Sequence, residues 1–259
     1  MLTPFTTLPT LLPDSSTAVD CWNGFERRSF TFQGRPSCLV CPPQPLPGHP
    51  WLWRPTFLDA WPSADLALIK KGFHLAYTEV LDDYASPTGI RHGKAFHDFL
   101  VRAGLAAQCT FIAVSRGGLY AFRYAESYPG DIAAIYADAP VCDFSSWPGG
   151  KGQSPRAEQE FAQVLRSHGL TEAEVMAPSF QPLNRLEPLA QQGIPLIHVC
   201  GDADEVVPFE ENTVLLAQNY RALGGTIEII IRPGGRHHPH GLEDPSPVVA
   251  FIERHVLSR

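Results

Sequence analysis

Residues 109–124 read CTFIAVSRGGLYAFRY, and the conformation they adopt decides what the rest of the chain can be. The stretch opens with an apolar, β-branched run over residues 110–114, of the kind a buried strand carries. From Leu119 it continues with apolar and aromatic residues at helical spacing, Phe122 and Tyr124 among them. Between the two stands Ser115, with Ala113 two positions before it and Gly117 and Gly118 after it. A strand that becomes a helix within a few residues strains its turn residue, and small neighbours make that turn sterically possible. Such a turn lifts the serine Oγ clear of the sheet and aims the first helical N–H groups at whatever Oγ attacks. A Gly-rich strand-to-helix turn serves many α/β proteins, so the reading depends on an acid and a histidine following in order.

Upstream, residues 25–33 (FERRSFTFQ) alternate as a half-exposed strand does, and residues 37–41 form a second strand. Residues 1–24 read as an irregular N-terminal segment. Residues 42–57 (PPQPLPGHPWLWRPTF) are too rich in proline for helix or sheet and predict a structured loop. From Ala64 a βα rhythm sets in: a helix over 65–71, a strand over 73–80, a helix over 88–101, the strand over 109–114 and another over 132–136. Residues 141–187 break it and are too long for a plain connection, which predicts a small helical, lid-like insertion. A strand over 195–200, a helix to about Leu223, a strand over 226–231 and a helix over 247–256 complete the chain. Alternating strands and helices predict one α/β domain over 1–259, with a doubly wound, mostly parallel sheet.

At 259 residues with 44% apolar side chains, a sizeable core is available. A net charge of −7 and the lack of any Lys/Arg run exclude a nucleic-acid surface. No apolar stretch approaches the ~20 residues of a membrane span, so no membrane partner is expected; oligomeric state is left open. The N-terminus lacks the basic region and apolar core of a signal peptide, which predicts a cytoplasmic protein, or a periplasmic or secreted one if a leader has been removed. Cys38 and Cys41 form a C-x-x-C, but no second pair follows, and SCLVCPP reads as a strand with alternating side chains. These thiols, with Cys109 and Cys200 in other core strands, are read as structural.

Two clusters downstream supply the acid and the base. Asp204, in GDADEVVP, lies just past one strand end, and His237, in RPGGRHHPHG, just past the next. Both therefore face the sheet edge that carries Ser115. The order Ser115, Asp204, His237 resembles that of the α/β-hydrolase superfamily, and the turn around Ser115 resembles its nucleophile elbow, with Ala113 in place of the first Gly. The resemblance covers the chain from about residue 25 onward. It implies Ser115 as nucleophile, His237 as base, Asp204 as the acid that orients it, and no metal or organic cofactor. It also implies an oxyanion hole made by the N–H of Arg116 and an amide of the loop after an early strand, by position that of Trp51 or Leu52. Arg236 departs from the Gly that customarily precedes the histidine. Asp138 is a rival acid at the preceding strand end, His238 a rival base, and His240 a supporting or surface group. Asp202 stiffens its turn. A zinc site built from the histidines and Asp204 is the weaker reading, because it leaves the serine turn without purpose.

PWLWRP, SRGG and WPGGKG together resemble bacterial carbohydrate esterases and acetyl esterases. That implies a small-molecule or oligosaccharide ester as substrate, with Trp53, Arg54, Trp147 and Lys151 around it and Arg116 adding to a positive rim. Two other readings remain: a prolyl-oligopeptidase-like peptidase, and an inactive α/β-hydrolase fold used as a binding module.

Overall fold

The computed structural model describes residues 18–258; residues 1–17 of the predicted irregular segment lie outside them. Its organising element is a nine-stranded sheet in the order β1-β2-β3-β5-β4-β6-β7-β8-β9. β1 (Ala18–Trp22), β2 (Phe25–Phe32) and β3 (Arg35–Cys41) run antiparallel, and β3 joins β5 (His74–Thr78) antiparallel. From there β4 (Trp51–Trp53), β6 (Cys109–Val114), β7 (Ile132–Asp138), β8 (Leu196–Gly201) and β9 (Ile227–Arg232) are parallel. β6, β7 and β8 are buried along their whole length, as strands covered on both faces must be.

Helices cover both faces. α1 (Ser63–Lys70) packs with the last helix, α8 (Ser246–Val256), through Leu68, Ile69, Val248 and Phe251 on one side. On the other lie α2 (Pro87–Arg102), α3 (Gly117–Ser127) and α7 (Leu215–Ala222), through Phe96, Leu119, Tyr124 and Tyr220. Between β7 and β8 the chain forms α4 (Glu158–His168), α5 (Glu172–Val175) and α6 (Glu187–Gln192). Phe144, Phe161 and Val175 seat this insertion on the same core as β6 and α3. The chain thus has the mostly parallel, doubly wound α/β architecture expected of it.

Two strands depart from the sequence reading. Ala18–Trp22, inside the segment read as irregular, pairs with β2 from Ala18↔Ser29 to Trp22↔Phe25. Trp51–Trp53, read as loop, is a short central strand in register with both His74 and Cys109. The prolines flank that run rather than interrupt it, so no ladder N–H is lost there. The cysteines are free thiols, and burial pushes Cys38 up to about 12 and Cys41 to about 11, as structural thiols require. No described helix is long and apolar enough to cross a membrane.

The core also encloses imidazoles. Burial holds His74 and His92 down at about 4 and His198 at about 3, with His49 reinforcing the effect at His74 and Arg35 at His92. All are neutral at pH 7 in the fold, and mostly so in the unfolded chain. Below the ordinary value of ~6.5 the unfolded chain takes up protons that the folded chain refuses. Stability should therefore be steady above about pH 7 and fall from there toward pH 4, by up to about 2 kcal/mol each for His74 and His198 at pH 5 and by less for His92. Urea unfolding midpoints at half-unit pH steps check this; a midpoint unchanged between pH 7 and 5 would contradict it.

Candidate active site

Ser115 follows β6 with φ at +53°, in the left-handed region that a side-chain-bearing residue occupies only when its surroundings impose it. Its N–H donates to the Asp138 carbonyl at 2.9 Å, and its own carbonyl accepts from Gly118 and Val141 N–H, each at 2.9 Å. The two glycines that follow are demanded by close approach. A Cβ on Gly117 would lie 2.6 Å from Thr56 Oγ1, and one on Gly118 2.7 Å from Pro140 Cβ and the Val141 carbonyl. The loops leaving β4 and β7 thus press on the turn from two sides.

The structure brings Ser115, His237 and Asp204 together. Ser115 Oγ lies 3.0 Å from His237 Nε2, and His237 Nδ1 lies 2.7 Å from Asp204 Oδ2. A carboxylate facing Nδ1 accepts a hydrogen bond from the N–H there, which keeps the proton on Nδ1 and leaves Nε2 as acceptor for the serine hydroxyl. The other oxygen of Asp204 accepts the N–H groups of Val206 at 2.9 Å and Val207 at 2.8 Å, so the carboxylate is fixed at both ends. Both Asp204 and His237 are buried. Their loops are joined to each other: Ala203 N–H donates to the Gly235 carbonyl at 3.0 Å, and Asp202 Oδ1 accepts the Gly234 N–H at 2.6 Å. Asp202 therefore stiffens the histidine turn opposite it.

Asp138 and His240 form a second carboxylate–imidazole pair, with Oδ1 2.7 Å from Nδ1. Asp138 Oδ2 accepts the Gly241 N–H at 2.8 Å and the Tyr136 hydroxyl at 2.9 Å. Burial and the neighbouring carboxylate push the Tyr136 phenol far above its ordinary value, which keeps it a donor. The rival acid is thus engaged with His240, not His237, and His240 is buried rather than on the surface. His238 is exposed and lies flat against Trp61, ring planes 13° apart. Burial, then His237 and His240, pull its imidazole below the ordinary value.

A cavity of about 460 Å³ opens over Ser115 and His237, walled by Phe57, Trp61, Arg116 and Trp147. Several expected neighbours are absent from it. Trp51 and Leu52 are strand residues paired with the start of β6, at the opposite end of that strand from Ser115, so their amides cannot meet an oxyanion there. Trp53 is wholly buried, stacked on Phe111 with centroids 5.0 Å apart, and has no face for a substrate. Arg54 is buried too, paired with Asp65 and bonded to the Ala60 carbonyl. Lys151 is exposed and outside the cavity wall. The side chain of Arg116 is held by the Tyr84 hydroxyl at 2.6 Å and lies over the Phe57 and Tyr84 rings. Of the three cations expected at a positive rim, Arg116 alone lies on the cavity wall, with Asp82 4.0 Å from it.

Sequence reasoning missed Phe57, Trp61 and Glu160, all on the cavity wall. Phe57 follows the true strand end, three residues beyond the Arg54 N–H that donates to the Ala76 carbonyl at 3.0 Å. Neither its N–H nor that of Arg116 meets an acceptor among the described residues. With residues 51–53 a strand, the loop that follows it brings Phe57 to the cavity wall. Glu160, on α4, has no hydrogen bond or ion pair among the described residues, and no motif in the sequence marks it.

No family model matches the chain, and no curated protein does. Solved structures match its fold. A puromycin-hydrolyzing peptidase of Mycobacterium tuberculosis superposes with a TM-score of 0.67 at 15% identity, over 88% of this chain and 38% of that one. The acylaminoacyl peptidase of Pyrococcus horikoshii gives 0.65 at 14% identity, over 89% and 42%. Est1E from Butyrivibrio proteoclasticus gives 0.62 at 15% identity, over 93% and 99%. This chain thus spans about two fifths of either peptidase and nearly all of Est1E. The fold is the α/β-hydrolase fold.

The placement of Arg54 has a testable consequence. Burial pushes the Asp65 carboxyl up while Arg54 opposes it, and removing the guanidinium strands a buried acid. Arg54→Ala should lower the free energy of unfolding by roughly 3–5 kcal/mol, read from urea denaturation. Wild-type stability combined with weakened substrate binding would return Arg54 to the substrate site.

Proposed function

We propose that the chain is a serine hydrolase that cleaves short-chain carboxylic esters through an acyl-enzyme. One observation carries this: the unbroken hydrogen-bond chain from Ser115 Oγ through His237 to Asp204, at 3.0 and 2.7 Å, opening on a cavity. In this mechanism Ser115 Oγ attacks the ester carbonyl while His237 Nε2 takes its proton, and Asp204 holds the imidazole tautomer and stabilises its cation. The N–H groups of Arg116 and Phe57 stabilise the oxyanion. His237 then gives the proton to the departing alcohol, and water, activated by the same nitrogen, releases the acid. No cofactor enters these steps.

On this reading the ester carries a small acyl group, acetyl above all, on a polar alcohol. Trp61 and Trp147 offer flat faces of the kind a sugar ring stacks on, and a carbohydrate ester is the substrate class that fits them. A second reading, cleavage of aminoacyl esters or amides, is favoured by Glu160. Its unpaired carboxylate on the same wall suits a substrate ammonium group.

Ser115→Ala should fold normally and lose on the order of 10³ to 10⁶ in kcat, and Asp204→Asn should also be severe, because the wrong imidazole tautomer is favoured. Near-wild-type turnover by purified Ser115→Ala would remove the mechanism. For the substrate, kcat/KM over p-nitrophenyl esters from acetyl to decanoyl should peak at acetyl. Beside them, Glu160→Gln should leave acetyl-ester hydrolysis within about twofold; a loss of tenfold or more confined to aminoacyl nitroanilides, about 1.4 kcal/mol, would establish the second reading.

A further inference from the structure

The turn after β9 gathers more imidazole than the serine mechanism uses. The rings of His237, His238 and His240 form a nearly equilateral triangle, with centroids 4.8, 4.7 and 5.0 Å apart. Each stands edge-on to the others, and each offers a nitrogen within 4.8 Å of the other two. Two of the rings have Nδ1 against a buried carboxylate, His237 on Asp204 and His240 on Asp138, both at 2.7 Å. That arrangement fixes the tautomer, orients the ring and makes the opposite nitrogen more basic, which is what the carboxylate behind a metal-bound histidine does. The triad accounts for the first of these pairs. Nothing in it calls for the second, or for His238.

We propose that His237, His238 and His240 form an inhibitory site for Zn²⁺ or a similar divalent transition ion. The ligands are Nε2 of His237 and His240 and one ring nitrogen of His238. Imidazole is the donor such ions prefer. Tetrahedral zinc with bonds of 2.0–2.1 Å sets its nitrogens about 3.3 Å apart, so the triangle contracts by about 1.5 Å. His238, exposed and without a hydrogen bond among the described residues, is the member able to swing inward. The fourth position is left to water or to Ser115 Oγ, 3.0 Å from His237 Nε2. The metal occupies the lone pair with which Nε2 would take the serine proton. That proton stays on Ser115, no bond to substrate forms, and removing the ion restores the base. The inhibition rests on the Ser115–His237 mechanism proposed above; the binding does not.

The test is calorimetric titration of metal-free, untagged full-length protein with Zn²⁺ alone, with Co²⁺ as a spectroscopic probe. One ion should bind per chain, Co²⁺ should show the intense visible bands of four-coordination, and ester turnover should fall in step with occupancy and return with EDTA. His238→Ala, altering an exposed ring, should weaken Zn²⁺ at least tenfold. Asp138→Asn should weaken it 10- to 100-fold, the usual effect of losing the carboxylate behind a ligand. Ser115→Ala should bind Zn²⁺ within a few-fold of wild type whether or not the serine is the nucleophile, which separates failure of the metal site from failure of the mechanism. Absence of 1:1 binding, or equal affinity in His238→Ala, overturns the site. Binding with undiminished turnover overturns its inhibitory role.

Discussion

The geometry of the cleft depends on one backbone residue held where it would not settle by itself. Ser115 sits at φ +53° because its N–H is committed to Asp138 and its carbonyl to Gly118 and Val141. A strained residue persists only when its neighbours over-determine it. Here they come from different parts of the chain: β7 supplies the acceptor, the start of the insertion supplies a donor, and the loop after β4 leaves no room for a side chain at Gly117. The helix that follows inherits its direction from this turn, and so do the first free N–H groups of that helix. The fold delivers a serine hydroxyl to the sheet edge by leaving it no other conformation.

The same edge carries two buried carboxylates, each spent on one imidazole. Asp204 and Asp138 end adjacent parallel strands or their loops, and both reach into the turn after β9. They differ in their other partners. Asp204 is anchored by backbone N–H groups of its own turn, whereas Asp138 also binds a phenol and a glycine N–H beyond His240. A carboxylate with its acceptor sites filled is locked in place, and the histidine it faces is locked with it. The chemistry of the cleft is therefore arranged by rigid acids standing behind comparatively simple rings.

Much of this was legible in the sequence where a residue type has few physical uses. The serine between small residues, the aspartate past a strand end and the histidine past the next one are demanded by the turn and by the order of parallel strands. The central strands were legible because they are long, β-branched and buried on both faces. Residues 51–53 were not, because a run so short has no periodicity and its flanking prolines dominate the local signal. That one misplacement carried others with it: Trp51 and Leu52 fall at the far end of β6 from Ser115, Phe57 stands at the cleft in their place, and Trp53 and Arg54 pass from the cleft to the core. Arg54 also shows a limit of composition, since its partner Asp65 lies on a helix and nothing local announces the pair. Glu160 and Trp61 reach the cleft by tertiary packing, which leaves no mark at their own positions.

Gly201 and Gly235 face each other so closely that a Cβ on Gly201 would lie 2.0 Å from the Gly235 carbonyl. With the Ala203–Gly235 and Asp202–Gly234 bonds beside it, this contact welds the exits of β8 and β9 into one block. Asp204 and His237 ride on that block, and Ser115 rides on another, the β6 turn. The Asp204–His237 bond lies within one block, whereas the Ser115–His237 contact crosses between the two. The 3.0 Å step between Ser115 and His237 therefore depends on how the two blocks are packed against each other.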